Sequence, residues 1–416
     1  MEYLPRFIDQ TLVERLGSAG AVVIEGPKGC GKTETALQIA GSNIRFDSDE
    51  QIRARMDVDP RSVLHGMTPR LLDEWQEYPQ IWNYVRREVD ERRVKGQFIL
   101  TGSATPEEQT KRHSGIGRFS ILTMRPMSLS EKGWSTKEVS LAALMKGVSP
   151  QSEPASFELS DLAEKMTLGG WPGVIGLSAV EGFRFASDYI SLIAEIDLSK
   201  VSEKRRDPFK IKRLLQSLAR NISTEATVTA LTKDTVGEDN ELNHATVVDY
   251  TSALERLMVI ESLPAWNTHI RSSYMLRKSP KHHFCDPSLA IGALGLSIDK
   301  LTEDFNFLGL LFESLAIRDL RVYADANNGK VFHYRDSSGL EVDAIVEFAD
   351  GTWGAFEIKL GFGAVDVAAA NLLRFASRID TLKTKAPATL TVITGNGFAH
   401  QRQDGVCVVP LYSLTA

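Results

Sequence analysis

The chain is poor in everything that would take it out of water or into an oxidising compartment. Its 416 residues hold three cysteines, Cys30, Cys285 and Cys407. They are widely separated, with no C-x-x-C pair and no zinc-ligand spacing, so reduced thiols in a cytoplasmic protein are expected rather than a disulfide framework. No apolar run approaches the length of a bilayer span, which predicts no transmembrane helix and no membrane partner. Met1-Glu2-Tyr3-Leu4-Pro5-Arg6 lacks the basic, apolar and small-residue succession of a secretory signal. An excess of positive charge is also missing. Lys and Arg number 48 against 54 Asp and Glu, a formal net charge of −6, so any nucleic-acid contact falls to local basic patches. What remains, 43% hydrophobic and 25% charged residues, is the composition of a globular protein with room for about three domains.

The richest stretch is Ala21-Val22-Val23-Ile24-Glu25-Gly26-Pro27-Lys28-Gly29-Cys30-Gly31-Lys32-Thr33. It reads as a buried strand, a G-x-x-x-x-G-K-T loop and an amphipathic helix over Glu34 to Ala40, the setting a phosphate-binding P-loop requires. Gly26, Gly29 and Gly31 can take backbone angles closed to other residues and bring N–H groups close to phosphate oxygens. The helix aims its positive end at the same anion. ATP with Mg²⁺ is therefore the expected ligand. Gly26, Pro27, Lys28, Gly29, Cys30, Gly31, Lys32 and Thr33 form its cradle, with Lys32 on the β- and γ-phosphates and the Thr33 hydroxyl on Mg²⁺.

Further along, Pro69-Arg70-Leu71-Leu72-Asp73-Glu74-Trp75-Gln76 fits a Walker B strand. Asp73 is expected to hold Mg²⁺, mostly through water, and Glu74 to polarise the attacking water. The next strand, Gly96 to Leu100, ends in Thr101-Gly102-Ser103. Thr101 or Ser103 is placed to sense the γ-phosphate at the crevice of a parallel sheet, with ordinary turn chemistry as the alternative. Between these strands, Ile81 to Val94 alternates charges at helical spacing, as a solvated face or a contact with a neighbouring subunit does. Arg118 is the arginine-finger candidate, acting in its own site, in that of a neighbour in a homo-oligomer, or only in a surface ion pair.

Lys132 to Ser160 reads as a polar linker, and Gly169-Gly170-Trp171-Pro172-Gly173 as a turn in which Trp171 plugs a packed corner. Helical segments Ile211 to Arg220, Val228 to Lys233 and Asn243 to Leu257, then an extended Met258 to Trp266, look like a winged helix. Its recognition helix carries Asp249 and Glu255 against His244 and Arg256, poor chemistry for DNA backbone contacts. Lys200 to Arg213 and Arg271 to His283 are the better local candidates for nucleic acid.

A second constellation lies near the C-terminus. Glu313 sits on an apolar helix, Leu308 to Leu320. Asp343 is on the strand Glu341 to Phe348, and Glu357-Ile358-Lys359 ends the strand Thr352 to Leu360. Asp followed by Glu-x-Lys on the next strand is the PD-(D/E)xK nuclease signature: two carboxylates hold Mg²⁺ against a scissile phosphate, while the lysine activates water or stabilises charge. A three-residue turn Ala349-Asp350-Gly351, with Gly351 left-handed, pairs Phe348 with Thr352 and sets Asp343 opposite Glu357. That register predicts Glu341, Asp343, Glu347, Glu357 and Lys359 on one face. Val342, Ala344, Val346, Phe348, Phe356 and Ile358 fall on the other. An amphipathic hairpin with a plain charged outer face has the same pattern.

Gly-Pro-x-x-x-Gly-Lys-Thr, Leu-Asp-Glu-x-Gln, Leu-Thr-Gly-Ser-Ala, Gly-Arg and Pro-Met-Ser-Leu-x-Glu occur in that order. Together with Gly-Gly-Trp-Pro-Gly and the C-terminal motifs, this resembles a large family of prokaryotic AAA-type ATP-binding proteins that carry a C-terminal domain of unknown function. The resemblance spans nearly the whole chain. It implies an α/β protein: a P-loop NTPase parallel-sheet domain (1–135), a linker or lid (136–185), a helical, winged-helix-like region (186–295) and a restriction-endonuclease-like domain (296–416). The reading is a Mg²⁺-dependent ATPase whose nucleotide state controls the nuclease-like domain. The alternative is a nucleotide-gated DNA- or protein-binding switch that does not cut.

Overall fold

The computed structural model describes residues 3–47, 50–102, 114–154, 158–198, 206–235, 242–267 and 280–416. Among them no helix is long and apolar enough to cross a membrane, and the three cysteines are free and buried.

Five short strands build the first sheet: β1 (Ala21–Glu25), β2 (Ser42–Arg45), β3 (Arg70–Asp73), β4 (Phe98–Gly102) and β5 (Phe119–Thr123), in the order β2-β3-β4-β1-β5. Every pairing is parallel. β1 is central, so both its faces are covered and Ala21 to Ile24 are wholly buried, as the unbroken apolar run requires. Alternate residues enter different cores. Val22, Ile24, Leu71 and Ile99 face one way; Ala21, Val23, Leu72 and Leu100 face Trp75, Trp82 and Val85. The helices of this module are α1 (Phe7–Ser18), α2 (Lys32–Leu37), α3 (Glu50–Val58) and α4 (Ile81–Arg92). The helix after the P-loop is thus shorter than expected and begins at Lys32.

The segment expected as a linker is instead ordered over its described part. β6 (Val139–Ser140) pairs in parallel with β15 (Leu414–Thr415) near the end of the chain, and Ser130 and Ser135 hydrogen-bond Thr415 and Leu414. These bonds join the N-terminal module to the chain end. Then follow α5 (Leu141–Leu144), α6 (Leu159–Leu168) and α7 (Ala179–Leu192), which runs into a π-turn over Ile193–Asp197. Helices Pro208–Arg220, Val228–Asp234 and His244–Arg256 lead to an antiparallel pair, β7 (Ile260–Leu263) and β8 (Lys281–Phe284), and to helices Pro287–Leu294 and Ile298–Glu303.

The last unit opens with a 22-residue helix, Phe305–Ala326. Its six-stranded sheet has the order β13-β14-β12-β11-β10-β9. The strands are β9 (Gly329–Arg335), β10 (Glu341–Phe348), β11 (Trp353–Lys359), β12 (Thr389–Thr394), β13 (His400–Gln401) and β14 (Cys407–Pro410). β9, β10 and β11 form an antiparallel meander; helix Val365–Arg378 then crosses over so that β12 lies parallel to β11. The long helix packs on one face, and Leu372 and Phe375 of the crossover helix on the other. One core cluster runs without interruption from Val22 and Trp171 through Leu289 and Phe312 to Phe356 and Leu414. The three regions share a core instead of being joined by tethers.

Candidate nucleotide site and a second charge cluster

The P-loop leaves the C-terminal end of β1 and turns on Gly29 and Gly31, whose φ values of +74° and +106° suit glycine. Gly26 has a different reason to be glycine. A Cβ there would stand 2.2 Å from the Met124 carbonyl oxygen of the neighbouring β5 end. Cys30 is buried beneath the loop with its thiol directed at that same carbonyl.

Around this loop the expected chemistry assembles. Thr33 donates its hydroxyl to Asp73 Oδ1 at 2.8 Å, and Thr101 donates to the same oxygen at 2.5 Å. The parallel register makes this possible, because Asp73 and Thr101 are partners across β3 and β4. The Lys32 ammonium is buried and satisfied by the carbonyls of Gly26 and Pro27, both at 2.9 Å. Hydroxyl and carboxylate oxygens at Thr33 and Asp73 are the hard donors that Mg²⁺ takes, so these residues fit the ion. Glu74 follows with φ at +53°, strained for a residue with a side chain. Burial raises its carboxyl pKa, opposed by a hydrogen bond from Gln76 and by the charge of Lys32. Ser103 lies outside the described residues.

Arg118 is not in this crevice. It precedes β5, its carbonyl accepts from the N–H of Ala21, and its guanidinium pairs with Asp90 of α4 at 2.8 Å. Since β1 and β5 are parallel, that is the N-terminal end of the sheet, and the P-loop is at the other. Within one chain, Arg118 and the P-loop are kept apart by the length of β1.

Several partners of the loop had little signal in the sequence. Arg6 donates to the carbonyls of Cys30 and Arg125 at 2.9 and 2.8 Å and pairs with Glu131. Lys28 pairs with Asp197 of the π-turn at 2.5 Å, and Tyr189 donates to the Lys28 carbonyl. Trp171 does plug a corner: it is fully buried against Tyr189, with ring centroids 4.9 Å apart, and donates to Ser288. Pro172 lies 3.4 Å from where a Cβ on Gly31 would be. The Gly-Gly-Trp-Pro-Gly turn is therefore the backing of the P-loop.

The second cluster gathers all four of its expected residues. Phe348 N–H donates to the Thr352 carbonyl, Gly351 is left-handed at φ +77°, and Ala344 pairs with Phe356. This is the three-residue turn and the register that the apolar pattern predicts. Two features differ. A bulge on β10 between Val342 and Ile345 turns Val342 away from Ala344 and into the opposite core. The other face is not a charged solvent face either, because Ile345, Trp353 and Ala355 pack there against the crossover helix.

The charges alternate. Lys281, arriving on β8, lies 2.9 Å from Glu313 and 3.8 Å from Asp343. Lys359 lies 2.9 Å from Asp343 and 2.6 Å from Glu357. Asp343 also accepts from the Ile358 N–H, and Glu357 from Asn371. Burial and the nearby Asp343 push the carboxyls of Glu313 and Glu357 up to about 7. Burial raises Asp343 too, but Lys359 and Lys281 outweigh it and hold that carboxyl low. The acids are hard donors, yet among the described residues no three such side chains are arranged to hold a metal ion. Lysines stand between them. As the structure stands, the cluster does not fit a metal centre.

Where the basic stretches are described, Arg206 and Lys281 are buried in pairs with Asp249 and Glu313, whereas Lys212 pairs with Glu195 at the surface. Residues 200–205 and 271–279 lie outside the described residues.

Three family descriptions match the chain in succession: an AAA domain over residues 18–132, a domain of unknown function (DUF8612) over 159–300, and another (DUF4143) over 308–414. Uncharacterized protein Mb2031c of Mycobacterium bovis and uncharacterized protein Rv2008c of Mycobacterium tuberculosis are each 23% identical over 351 residues, which is 83% of this chain and 71% of theirs. Among solved structures, the Walker-type ATPase PABY2304 of Pyrococcus abyssi is 12% identical, with a TM-score of 0.41, over 68% of this chain and 94% of its own. A signal-transduction ATPase of Pyrococcus horikoshii, PH0952, which carries a tetratricopeptide repeat sensor, is 13% identical with a TM-score of 0.22. The match spans 78% of this chain and 48% of that one. Structural likeness this slight carries no functional comparison. The AAA-domain match, falling on the residues that form the P-loop crevice, supports an AAA-type ATP-binding protein.

Proposed function

We propose that the chain is a Mg²⁺-dependent ATPase whose nucleotide state controls a restriction-endonuclease-like C-terminal domain. The observation that carries the first half is the meeting of Thr33, Asp73 and Thr101 on one carboxylate oxygen beside the P-loop. Lys32 exchanges its two loop carbonyls for phosphate oxygens when ATP binds. Thr33 and Asp73 hold Mg²⁺, which when bound neutralises charge on the phosphates. Glu74, its carboxyl raised by burial, orients the attacking water, and Thr101 fixes the Asp73 carboxylate. Arg118, paired with Asp90 at the opposite end of the sheet, takes no part in hydrolysis at its own chain's site.

For the C-terminal half, the succession of long helix, three-stranded meander, crossover helix and parallel strand supports the restriction-endonuclease-like reading, and three helices followed by β7 and β8 support a winged-helix-like middle. Control has a physical route. From the Lys28 carbonyl it passes through Tyr189, Trp171 and Ser288 to Asp286, which accepts from Gly170 and pairs with Arg318. Arg318 lies on the same helix as Glu313.

The test of the ATPase is Glu74→Gln, which should bind ATP but hydrolyse it about a hundredfold more slowly; hydrolysis at the wild-type rate would refute the role. A second reading, a nucleotide-gated switch that binds without cutting, is favoured by the lysines interposed among the acids. A divalent-ion-dependent nuclease assay separates the two. Cleavage lost in both Asp343→Ala and Lys359→Ala supports the nuclease; no cleavage by any of the three proteins supports the switch.

A further inference from the structure

Lys281 has no part in the Asp/Glu-x-Lys pattern. It is outside the C-terminal unit, on β8, a strand paired with β7 and absent from the six-stranded sheet. Its backbone is fixed on the other side as well, since His282 exchanges hydrogen bonds with Ser223 and Thr224. Yet its side chain, 8% exposed, reaches into the cluster and puts an ammonium between Glu313 and Asp343. A buried ammonium needs acids to pair with, and here Glu313 and Asp343 stand 2.9 and 3.8 Å from it.

We infer that Lys281 is a resident cation which fills the place between Glu313 and Asp343 and keeps a divalent ion out of it. The inference rests on reading these acids as the remnant or the closed form of a metal site. An ammonium and a divalent cation compete for the same oxygens. Glu313 Oε1 is already bonded to Lys281, and Asp343 Oδ1 faces the same nitrogen. The other oxygen of Asp343 is taken by Lys359 and the Ile358 N–H. A metal ion therefore enters only where Lys281 leaves, and two cations cannot share a gap of this size at low dielectric. Lys281 is also well placed to respond to the nucleotide. Asp286 and Ser288, a few residues further along the same segment, hold the Gly170–Trp171 backing of the P-loop.

The test is Mn²⁺ binding by calorimetry to the nucleotide-free full chain, carrying Asp73→Asn and Glu74→Gln so that the P-loop crevice contributes no carboxylate. With Lys281 present, little Mn²⁺ should bind. Lys281→Gln, which keeps a donor toward Glu313 but removes the charge, should raise the affinity by about a hundredfold or more, and adding Asp343→Asn should abolish the gain. Lys281→Arg should exclude Mn²⁺ as lysine does. Two results overturn the inference and differ in what else they remove. If Lys281 and Lys281→Gln proteins bind Mn²⁺ equally, and Asp343→Asn abolishes both, the metal site is real and Lys281 does not guard it. If neither binds, the acids hold no metal and the nuclease reading falls as well. Should Lys281→Gln fail to fold, the parent protein still decides: tight Mn²⁺ binding that Glu313→Gln abolishes refutes the exclusion without any change at Lys281.

Discussion

Thr101 donates its hydroxyl to Asp73 Oδ1 at 2.5 Å, from the neighbouring strand and in direct register. The contact ties the polar end of one strand to the acidic end of the next, at the mouth of the P-loop. Thr101→Val keeps the shape and removes the bond. One hydrogen bond of this kind contributes about 1 kcal/mol, so kcat for ATP hydrolysis should fall about fivefold with little change in KM. An unchanged kcat would show that Asp73 needs no such support.

Arg118 pairs with Asp90 at the opposite end of the sheet. In dilute solution, Arg118→Ala should therefore hydrolyse ATP within about twofold of wild type, since an exposed pair contributes at most about 1 kcal/mol to stability. A loss that appears only as protein concentration rises would place the arginine in a neighbour's site. A large loss at every concentration would contradict the placement.

Trp171 connects the P-loop to the rest of the molecule. Trp171→Ala should cost about 3–5 kcal/mol of stability, as large aromatic deletions do, and should weaken ATP binding. Trp171→Phe should restore part of the stability without the bond to Ser288. Thermal melting with and without Mg-ATP checks both expectations.

Acid should loosen the joint between the modules. Arg125, just after β5, pairs with Glu261 of β7 and with Asp325 of the long helix, whose Arg321 also holds Glu261. Burial pushes the Glu261 carboxyl up, but Arg125 and Arg321 pull it down to about 2 from an ordinary 4.5. A carboxyl whose folded pKa is depressed contributes stability above its unfolded value and loses it as pH falls through the folded one. Glu261→Gln should thus melt well below wild type at neutral pH, and the difference should shrink as pH falls from about 4.5 to about 2. A constant difference across that window would contradict the assignment.

Much of this was legible in the chain because the signals are local. The P-loop, the Asp-Glu after two leucines and the hairpin register each follow from spacing and alternation within one short contiguous segment. The rest depends on contacts between distant segments. Asp197 is one carboxylate on a helix until the fold brings it to Lys28. Arg6 is one cation before α1 until it grips the carbonyls of Cys30 and Arg125. Lys281 falls in a basic stretch that suits nucleic acid, whereas its side chain is buried among acids of another unit. The bulge that moves Val342 to the other core lies against β9, a strand outside the hairpin whose pattern fixed the register. Gly26 had the right residue for the wrong reason, since the space it keeps open is set by Met124 on a neighbouring strand end.

The central claim is that the loop from Gly26 to Thr33 holds a triphosphate. Calorimetry with Mg-ATP, comparing wild type with Lys32→Ala, tests it most directly. Saturable binding by the wild type, weakened about a hundredfold or more when the P-loop lysine is removed, is the predicted result. No saturable heat from folded wild-type protein, or equal binding by Lys32→Ala, would contradict it.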